Sequence, residues 1–393
     1  MAQAVNVKNT GLRGVAVADT KVSFIDGEKG VLIYRGYRIE DLAEHSTFTE
    51  VAHLLLNGFL PAKESLKGFE KQIGEARPLP GHIVESFGRW PKDAKPMDVL
   101  QASVPLLAMV DPDLADESRE ANFRMALRLI ARLPALVAAW HRTRNSLEPL
   151  PPDPSLSHAA NFLYQLHGKK PDQETARYLD ICLILHADHT FNASTFACRE
   201  VVSTRAHMYA GVAAGIGALS GSLHGGANAE VMKMLLELES EKDIPGWVKG
   251  RLERGDRVMG MGHAVYKTMD PRAKYLKQMA QRLGEKTGQR WHQLSSQIEQ
   301  AGLDEFRRRG KTEIQPNVDF YSAPVYHMMG IPRDLMTPIF AVSRVSGWCS
   351  HIIEEKFAEA QEKPQLYRPQ AEYVGQYCGL MGCEYEPMEK RGK

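Results

Sequence analysis

The 393-residue sequence is poor in cysteine, with five in all and no CxxC pair. That argues against a disulfide scaffold and against a cysteine-built zinc module. Cys378 and Cys383 are the nearest pair, in a glycine-rich tail at a spacing that fits no common zinc site. Five free thiols in a reducing cytosol are therefore expected. The sequence also lacks an excess of either charge. Lys plus Arg total 49 and Asp plus Glu total 48, a net charge of +1. The basic surplus of a nucleic-acid or acidic-membrane binder is missing. No long apolar run is present: the least polar stretch, residues 208–219, is too short and too rich in Gly and Ala to span a bilayer. The first residues show neither an apolar signal core nor an Arg/Ser-rich amphipathic pattern, so no targeting peptide and a cytoplasmic location are expected. Internal repeats and low-complexity tracts are absent as well.

What remains has the balance of a folded globular protein, 43% hydrophobic and 25% charged. At about 150 residues per domain, the length allows two to three domains. Residues 21–25 and 31–34 read as two strands around a turn containing Gly27 and Gly30, which predicts a hairpin. Thereafter helical spacing dominates. Thr47 and Glu50 read as a capping box before the stripe Val51, Leu54 and Leu55, and Gly58 and Pro61 end that helix. Residues 118–142 carry a long helical pattern that Pro134 should kink or split. Residues 172–186, 252–254, 274–286 and 326–357 continue the theme. The expected fold class is mostly α, with a small N-terminal β element.

Several segments break the run of core helices. Residues 186–195 read His-Ala-Asp-His-Thr-Phe-Asn-Ala-Ser-Thr, and residues 220–228 read Ser-Gly-Ser-Leu-His-Gly-Gly-Ala-Asn. A helix interior avoids so many Asn, Ser and Gly residues. Gly225 and Gly226 would let backbone approach a ligand beside His224. Against this stands a hydrogen-bonded structural histidine, the ordinary fate of a lone His. Residues 260–272 combine a glycine turn with His263, Lys267, Asp270 and Arg272, and cations beside exposed backbone N–H groups suit phosphate or carboxylate. Residues 316–322 place Asp319 in an apolar, aromatic run, where burial would raise its pKa toward that of a useful base. The competing reading is a helix-capping or turn aspartate. Arg344 lies in an apolar stripe and Arg368 precedes Pro369, and arginine so placed usually has a carboxylate partner in the protein or in a ligand.

Other patterns carry less. The glycines at 215 and 217 lack the third glycine and the preceding strand of a dinucleotide fingerprint; a small-residue face for close helix packing explains them better. Residues 308–312 end like a Walker A loop, but Glu305 stands where its first glycine belongs. His186 and His189 have the spacing of two metal ligands, without a third, so no metal is expected.

Taken in order, these segments resemble the citrate synthase family. Leu223 to Asn228, Gly262-His263 with Asp270-Pro271-Arg272, and Asn317 to Tyr321 match its three catalytic signatures. His186 to Thr195, Ser343-Arg344, and Arg368-Pro369 with Tyr373-Val374-Gly375 match three more. The compact length is similar to the shorter bacterial and archaeal branch, which also contains 2-methylcitrate synthases. Ala264, Ala323 and Phe191 depart from common family residues without removing a catalytic group.

The resemblance implies a nearly all-α homodimer with shared active sites. Each subunit would have a large domain, residues 1–222 and 324–393, and a small one, residues 223–323. It implies His224, His263 and Asp319 as catalytic residues. His189, Arg272, Arg344 and Arg368 would bind oxaloacetate, with Arg368 supplied by the other subunit. Coenzyme A would lie along Arg257, Val258, Met259, Gly260 and Met261, near Lys267 and Asn317. Acyl-CoA is a substrate in this chemistry, and no tightly bound cofactor is implied. Propionyl-CoA in place of acetyl-CoA, giving 2-methylcitrate, is the nearest alternative. A catalytically silent helical scaffold or regulatory binding protein is another.

Overall fold

A computed structural model describes residues 11, 12 and 14–391. It opens on a small antiparallel sheet, β1 (Ser23–Asp26), β2 (Val31–Tyr34) and β3 (Tyr37–Arg38), in the order β1-β2-β3. The sequence predicted only the first pair. Arg35 (φ 47°) and Gly36 (φ 92°) sit in the left-handed region and fold the chain back to add the third strand.

Sixteen helices follow: α1 (Ile39–His45), α2 (Phe48–Asn57), α3 (Lys63–Ala76), α4 (Gly81–Phe87), α5 (Pro96–Ala108), α6 (Arg119–Arg144), α7 (His158–His167), α8 (Gln173–His186), α9 (Ala193–Ser203), α10 (Met208–Ser220), α11 (Ala227–Glu237), α12 (Ile244–Glu253), α13 (Ala273–Thr287), α14 (Trp291–Arg308), α15 (Val318–Met328) and α16 (Met336–Lys356). Short 3₁₀ turns cover Arg333–Leu335 and Met388–Lys390. No helix among the described residues is long and apolar enough to cross a membrane.

The Thr47 cap forms, accepting from the Glu50 N–H, but the Glu50 carboxylate turns to Ser46 Oγ at 2.6 Å, so only half of the box closes. Pro134 does not split α6, which runs 26 residues. Residues 129–131 and 133–140 are buried, and packing on this scale outweighs the roughly 3 kcal/mol that an interior proline costs. The expected helix over 326–357 is two helices, because Gly330 (φ 77°) and Pro332 end α15 and reset the chain for α16. The thiol count is also corrected. Cys378 and Cys383 form a disulfide, brought together by left-handed turns at Gly379 and Gly382, while Cys182, Cys198 and Cys349 are free and buried.

Helices α11 to α15 pack mainly on one another, and α16 runs through the other group, against α2, α6, α8, α9 and α10. Small residues permit one tight crossing: a Cβ at Gly215 of α10 would meet Cys198 of α9 and the Trp348 ring of α16. The β1–β2 turn reaches into the loop after α12. The Lys267 N–H donates to the Gly27 carbonyl at 2.9 Å, and a Cβ at Gly27 would overlap the Val265 carbonyl.

Candidate active site

Five connections converge where the two helix groups meet. They are the α8–α9, α10–α11 and α12–α13 loops, the start of α15 and the middle of α16.

His224 stands in the α10–α11 loop. Its Nε2 accepts from the Ser194 backbone N–H at 3.2 Å and lies 2.8 Å from Ser194 Oγ. An acceptor nitrogen carries no proton, so the neutral ring bears its proton on Nδ1. Burial, then the Arg344 charge, lowers the pKa of His224 to about 4, so the ring is neutral at pH 7. Gly225 is required beside it, since a Cβ there would overlap the Leu219 carbonyl.

His263 is fixed the opposite way. Its Nδ1 accepts from the backbone N–H groups of Val265 (3.0 Å) and Tyr266 (3.2 Å), which leaves the proton on Nε2. Burial and Arg272 lower its pKa to about 4 as well. His189 Nε2 lies 3.3 Å from the Tyr266 hydroxyl, and its ring stands 5.4 Å from that of His263. Burial holds His189 well below the usual histidine range, reinforced by Arg272. The site therefore contains three neutral imidazoles, two of them with assigned tautomers.

Asp319 sits in the first turn of α15, partly buried. Its backbone N–H is capped by the Asn317 side chain at 2.9 Å. Burial pushes its carboxyl up to about 6, against the opposing charge of Arg272. The alternative reading is thus half right: a capping residue is present, but it is Asn317, and Asp319 remains available for chemistry.

Arg272 is 2% exposed and already has a protein partner, Asp270, through Nε (2.9 Å) and Nη2 (2.8 Å). Burial works against its charge, but Asp270 outweighs that and keeps the guanidinium protonated. Asp270 also accepts from the Val318 N–H at 3.2 Å, tying Arg272 to the start of α15. Arg344, 1% exposed, donates Nε to the His186 carbonyl at 2.8 Å and lies 4.7 Å over the Phe340 ring. No carboxylate pairs with it directly among the described residues, and burial lowers its pKa to about 10. A buried cation without a carboxylate partner is a ready receptor for a ligand carboxylate.

Next to His263 opens a cleft of about 470 Å³ lined by Arg257, Val258 and Met261 together with Arg309 and Lys311. Of the other residues expected to meet coenzyme A, Met259 packs partly buried against the core, and Gly260 is buried at φ 79° where a Cβ would strike Phe320. Asn317 binds the same loop, its N–H to the Gly260 carbonyl at 2.9 Å and its Nδ2 to the Gly262 carbonyl at 2.8 Å. Lys267 is exposed beside the β1–β2 turn. A larger cavity, about 820 Å³, opens between α3, α7 and α8 and contains none of these residues.

One expected ligand is not brought in. Arg368 lies exposed on the tail after α16, where Tyr367 anchors to Glu355 (2.7 Å) and to Ser203 (3.3 Å). Sequence reasoning placed Asp270 and Ser194 in its motifs without giving them a role, and missed Tyr266, Arg309 and Lys311 as contributors. Arg309 and Lys311 had a visible signal, a cationic run beside a glycine, which the failed Walker comparison discarded. Among the described residues, no group of three or more His, Cys, Asp or Glu could hold a metal ion.

A family model described as the citrate synthase C-terminal domain matches residues 11–370. The chain belongs to the citrate synthase family. A citrate synthase from Haloferax volcanii is 43% identical over 97% of this chain and 98% of its own. A citrate/2-methylcitrate synthase from Bacillus subtilis is 38% identical over 93% of this chain and 96% of its own. The structure is similar to that of a citrate synthase from Thermoplasma acidophilum, in ternary complex with carboxymethyl coenzyme A and oxaloacetate. The TM-score is 0.89 at 32% identity, over 97% of this chain and 99% of that one. The chain is thus an acyltransferase of the citrate synthase family with a nearly all-α fold, as its motifs implied.

Proposed function

We propose that this citrate synthase family enzyme condenses acetyl-CoA with oxaloacetate and water to give citrate and CoA. The observation that carries the reading is the pair of neutral histidines with opposite tautomers, His224 with Nδ1–H and His263 with Nε2–H, in one site with the raised carboxylate of Asp319.

Asp319 takes a proton from the acetyl methyl group. A thioester methyl is a weak acid, so a base of pKa about 6 needs help. His224 donates Nδ1–H to the thioester oxygen and stabilises the enol or enolate. The enol carbon attacks the ketone carbon of oxaloacetate. His263 donates Nε2–H to the ketone oxygen and helps protonate the alkoxide. Water then cleaves the citryl thioester, releasing CoA. Neutral donors suit this sequence, because they can follow developing charge without surrendering a full proton beforehand.

The substrate carboxylates pair with Arg344, with the remaining donor edge of Arg272, and with Arg368 from a second subunit, while His189 adds a hydrogen bond. The exposed tail position of Arg368 supports delivery in trans, and with it a homodimer. The CoA thioester lies along the cleft at Arg257, Val258 and Met261, where Arg309 and Lys311 offer charge to its phosphates, with Lys267 on the same α12–α13 loop as a further cation. Residues 223–323 act as a small domain that closes on the large one, residues 1–222 and 324–393, in a cytoplasmic enzyme.

Initial rates with acetyl-CoA and with propionyl-CoA, each at saturating oxaloacetate, test the reading. Higher kcat/KM with acetyl-CoA supports it. Preference for propionyl-CoA makes the enzyme a 2-methylcitrate synthase, a change that one methyl-sized adjustment of the pocket can produce. No turnover with either leaves the silent scaffold.

A further inference from the structure

Thr190, which directly follows His189, has φ 49°. A β-branched residue in the left-handed region is an outlier, and such backbone persists only where its surroundings over-determine it. Asp188 supplies that constraint together with Ser23, whose Oγ also accepts from the Thr190 N–H at 3.1 Å. The Asp188 carboxylate, fully buried, accepts from the Thr190 N–H at 3.1 Å, from Ser23 Oγ and from His351 Nε2 at 3.3 Å. The His351 proton is placed by Arg199, which can only donate, and whose Nη1 lies 3.1 Å from His351 Nδ1. Arg199 is held in turn by Glu354 (2.7 Å) and Glu355 (2.6 Å). The Tyr34 hydroxyl donates to the Asp188 carbonyl at 2.8 Å and accepts from its N–H at 3.1 Å. Gly347 of α16 presses so closely that a Cβ there would overlap Asp188. Asp188 thus cannot shift, and the residue it restrains sits beside a site imidazole.

We propose that Asp188 is a positioning residue for substrate binding: by holding Thr190 in the left-handed region it sets the His189 imidazole in the cleft. The inference rests on the reading of this site as an oxaloacetate site. It differs from a simple electrostatic role because the backbone, and not the charge, carries the effect. Glycine adopts the left-handed region without side-chain strain, so Thr190→Gly should make Asp188 dispensable.

The test is a double-mutant cycle on the full chain, reading oxaloacetate binding by calorimetry together with KM and kcat. The three donors converge on Oδ2 of Asp188; in Asp188→Asn a neutral amide oxygen accepts them more weakly and the amide NH₂ opposes the His351 Nε2–H, 3.3 Å from Oδ1, so oxaloacetate binding should weaken roughly tenfold, the scale of one strained non-glycine residue. Its effect on kcat should be smaller. Thr190→Gly alone should stay within about threefold of wild type, and the double variant within about threefold of Thr190→Gly. If Asp188→Asn does not show the wild-type circular dichroism and melting transition, Ser23→Ala, which removes both the hydrogen bond to Asp188 and the one accepted from the Thr190 N–H, takes its place in the cycle. Wild-type affinity in Asp188→Asn, or a double variant as weak as Asp188→Asn, overturns the inference alone. A wild-type chain that binds no oxaloacetate overturns the reading of the site as well.

Discussion

Asn317 Nδ2 donates to the Gly262 carbonyl at 2.8 Å, and so couples the helix turn bearing Asp319 to the glycine turn bearing His263. Asp319 and His263 are thus positioned by one side chain. The Met261–Pro316 bridge, isolated from the sheet, reinforces the same junction.

Asp319 should dominate the pH profile. Its carboxyl, raised by burial to about 6, must be ionised to accept a proton, so kcat/KM should rise with pH through about 6. His224 and His263, lowered to about 4, stay neutral throughout that rise. Asp319→Asn should reduce kcat by about 10²–10⁴-fold. Near-normal turnover in that variant would remove Asp319 from the mechanism.

The same shift has a stability sign. A carboxyl whose folded pKa lies above its unfolded value favours the folded state while protonated. That advantage is present below the unfolded pKa, near 3.8, and is lost as pH rises through about 6. Asp319→Asn should therefore raise Tm at pH 8, by about 2–4 °C, and bring little gain near pH 4. Melting curves at the two pH values check this, and equal shifts at both would contradict it.

Arg309 and Lys311 line the cleft with Arg257, whereas Arg272 and Arg344 do not. Substituting both by Ala should raise KM for acetyl-CoA about tenfold and leave KM for oxaloacetate nearly unchanged, because charge-assisted phosphate contacts are lost only from the thioester side. Parallel changes in both constants would place them elsewhere in the mechanism.

Arg368 provides a test of sharing between subunits. Arg368→Ala should raise KM for oxaloacetate strongly, by unpairing a substrate carboxylate. Mixing Arg368→Ala with Asp319→Asn subunits, under conditions of exchange, should then restore activity toward half of wild type per hybrid dimer. One of its sites would carry both defects and the other neither. Verified hybrids as inactive as their parents would show that each site is completed within one chain.

Much of this site was legible because its chemistry sits in residues that disturb a helical pattern. His224 between glycines, Asp319 in an aromatic run and Arg344 in an apolar stripe each violate what packing alone would select. Tyr266 gave no such warning, since a tyrosine in a loop is ordinary; only folding places its hydroxyl against His189. Pro134 misled for a related reason. A local rule allowed a kink or a split, and the burial that keeps the helix in one piece is a tertiary quantity that no sequence window contains. The third strand was missed because it is two residues long and depends on left-handed backbone at Arg35.

The turn between β1 and β2 bears on how the enzyme is made. Gly27 accepts from Lys267, and Gly30 lies against the Met269 carbonyl, so the loop holding His263 is completed by a segment from the opposite half of the chain. The first strands to leave the ribosome must wait for most of the polypeptide before their turn meets its partner. Pairing at such sequence separation carries a large loop-closure cost and forms late. Catalytic competence should accordingly appear among the last events of refolding, after helicity has returned.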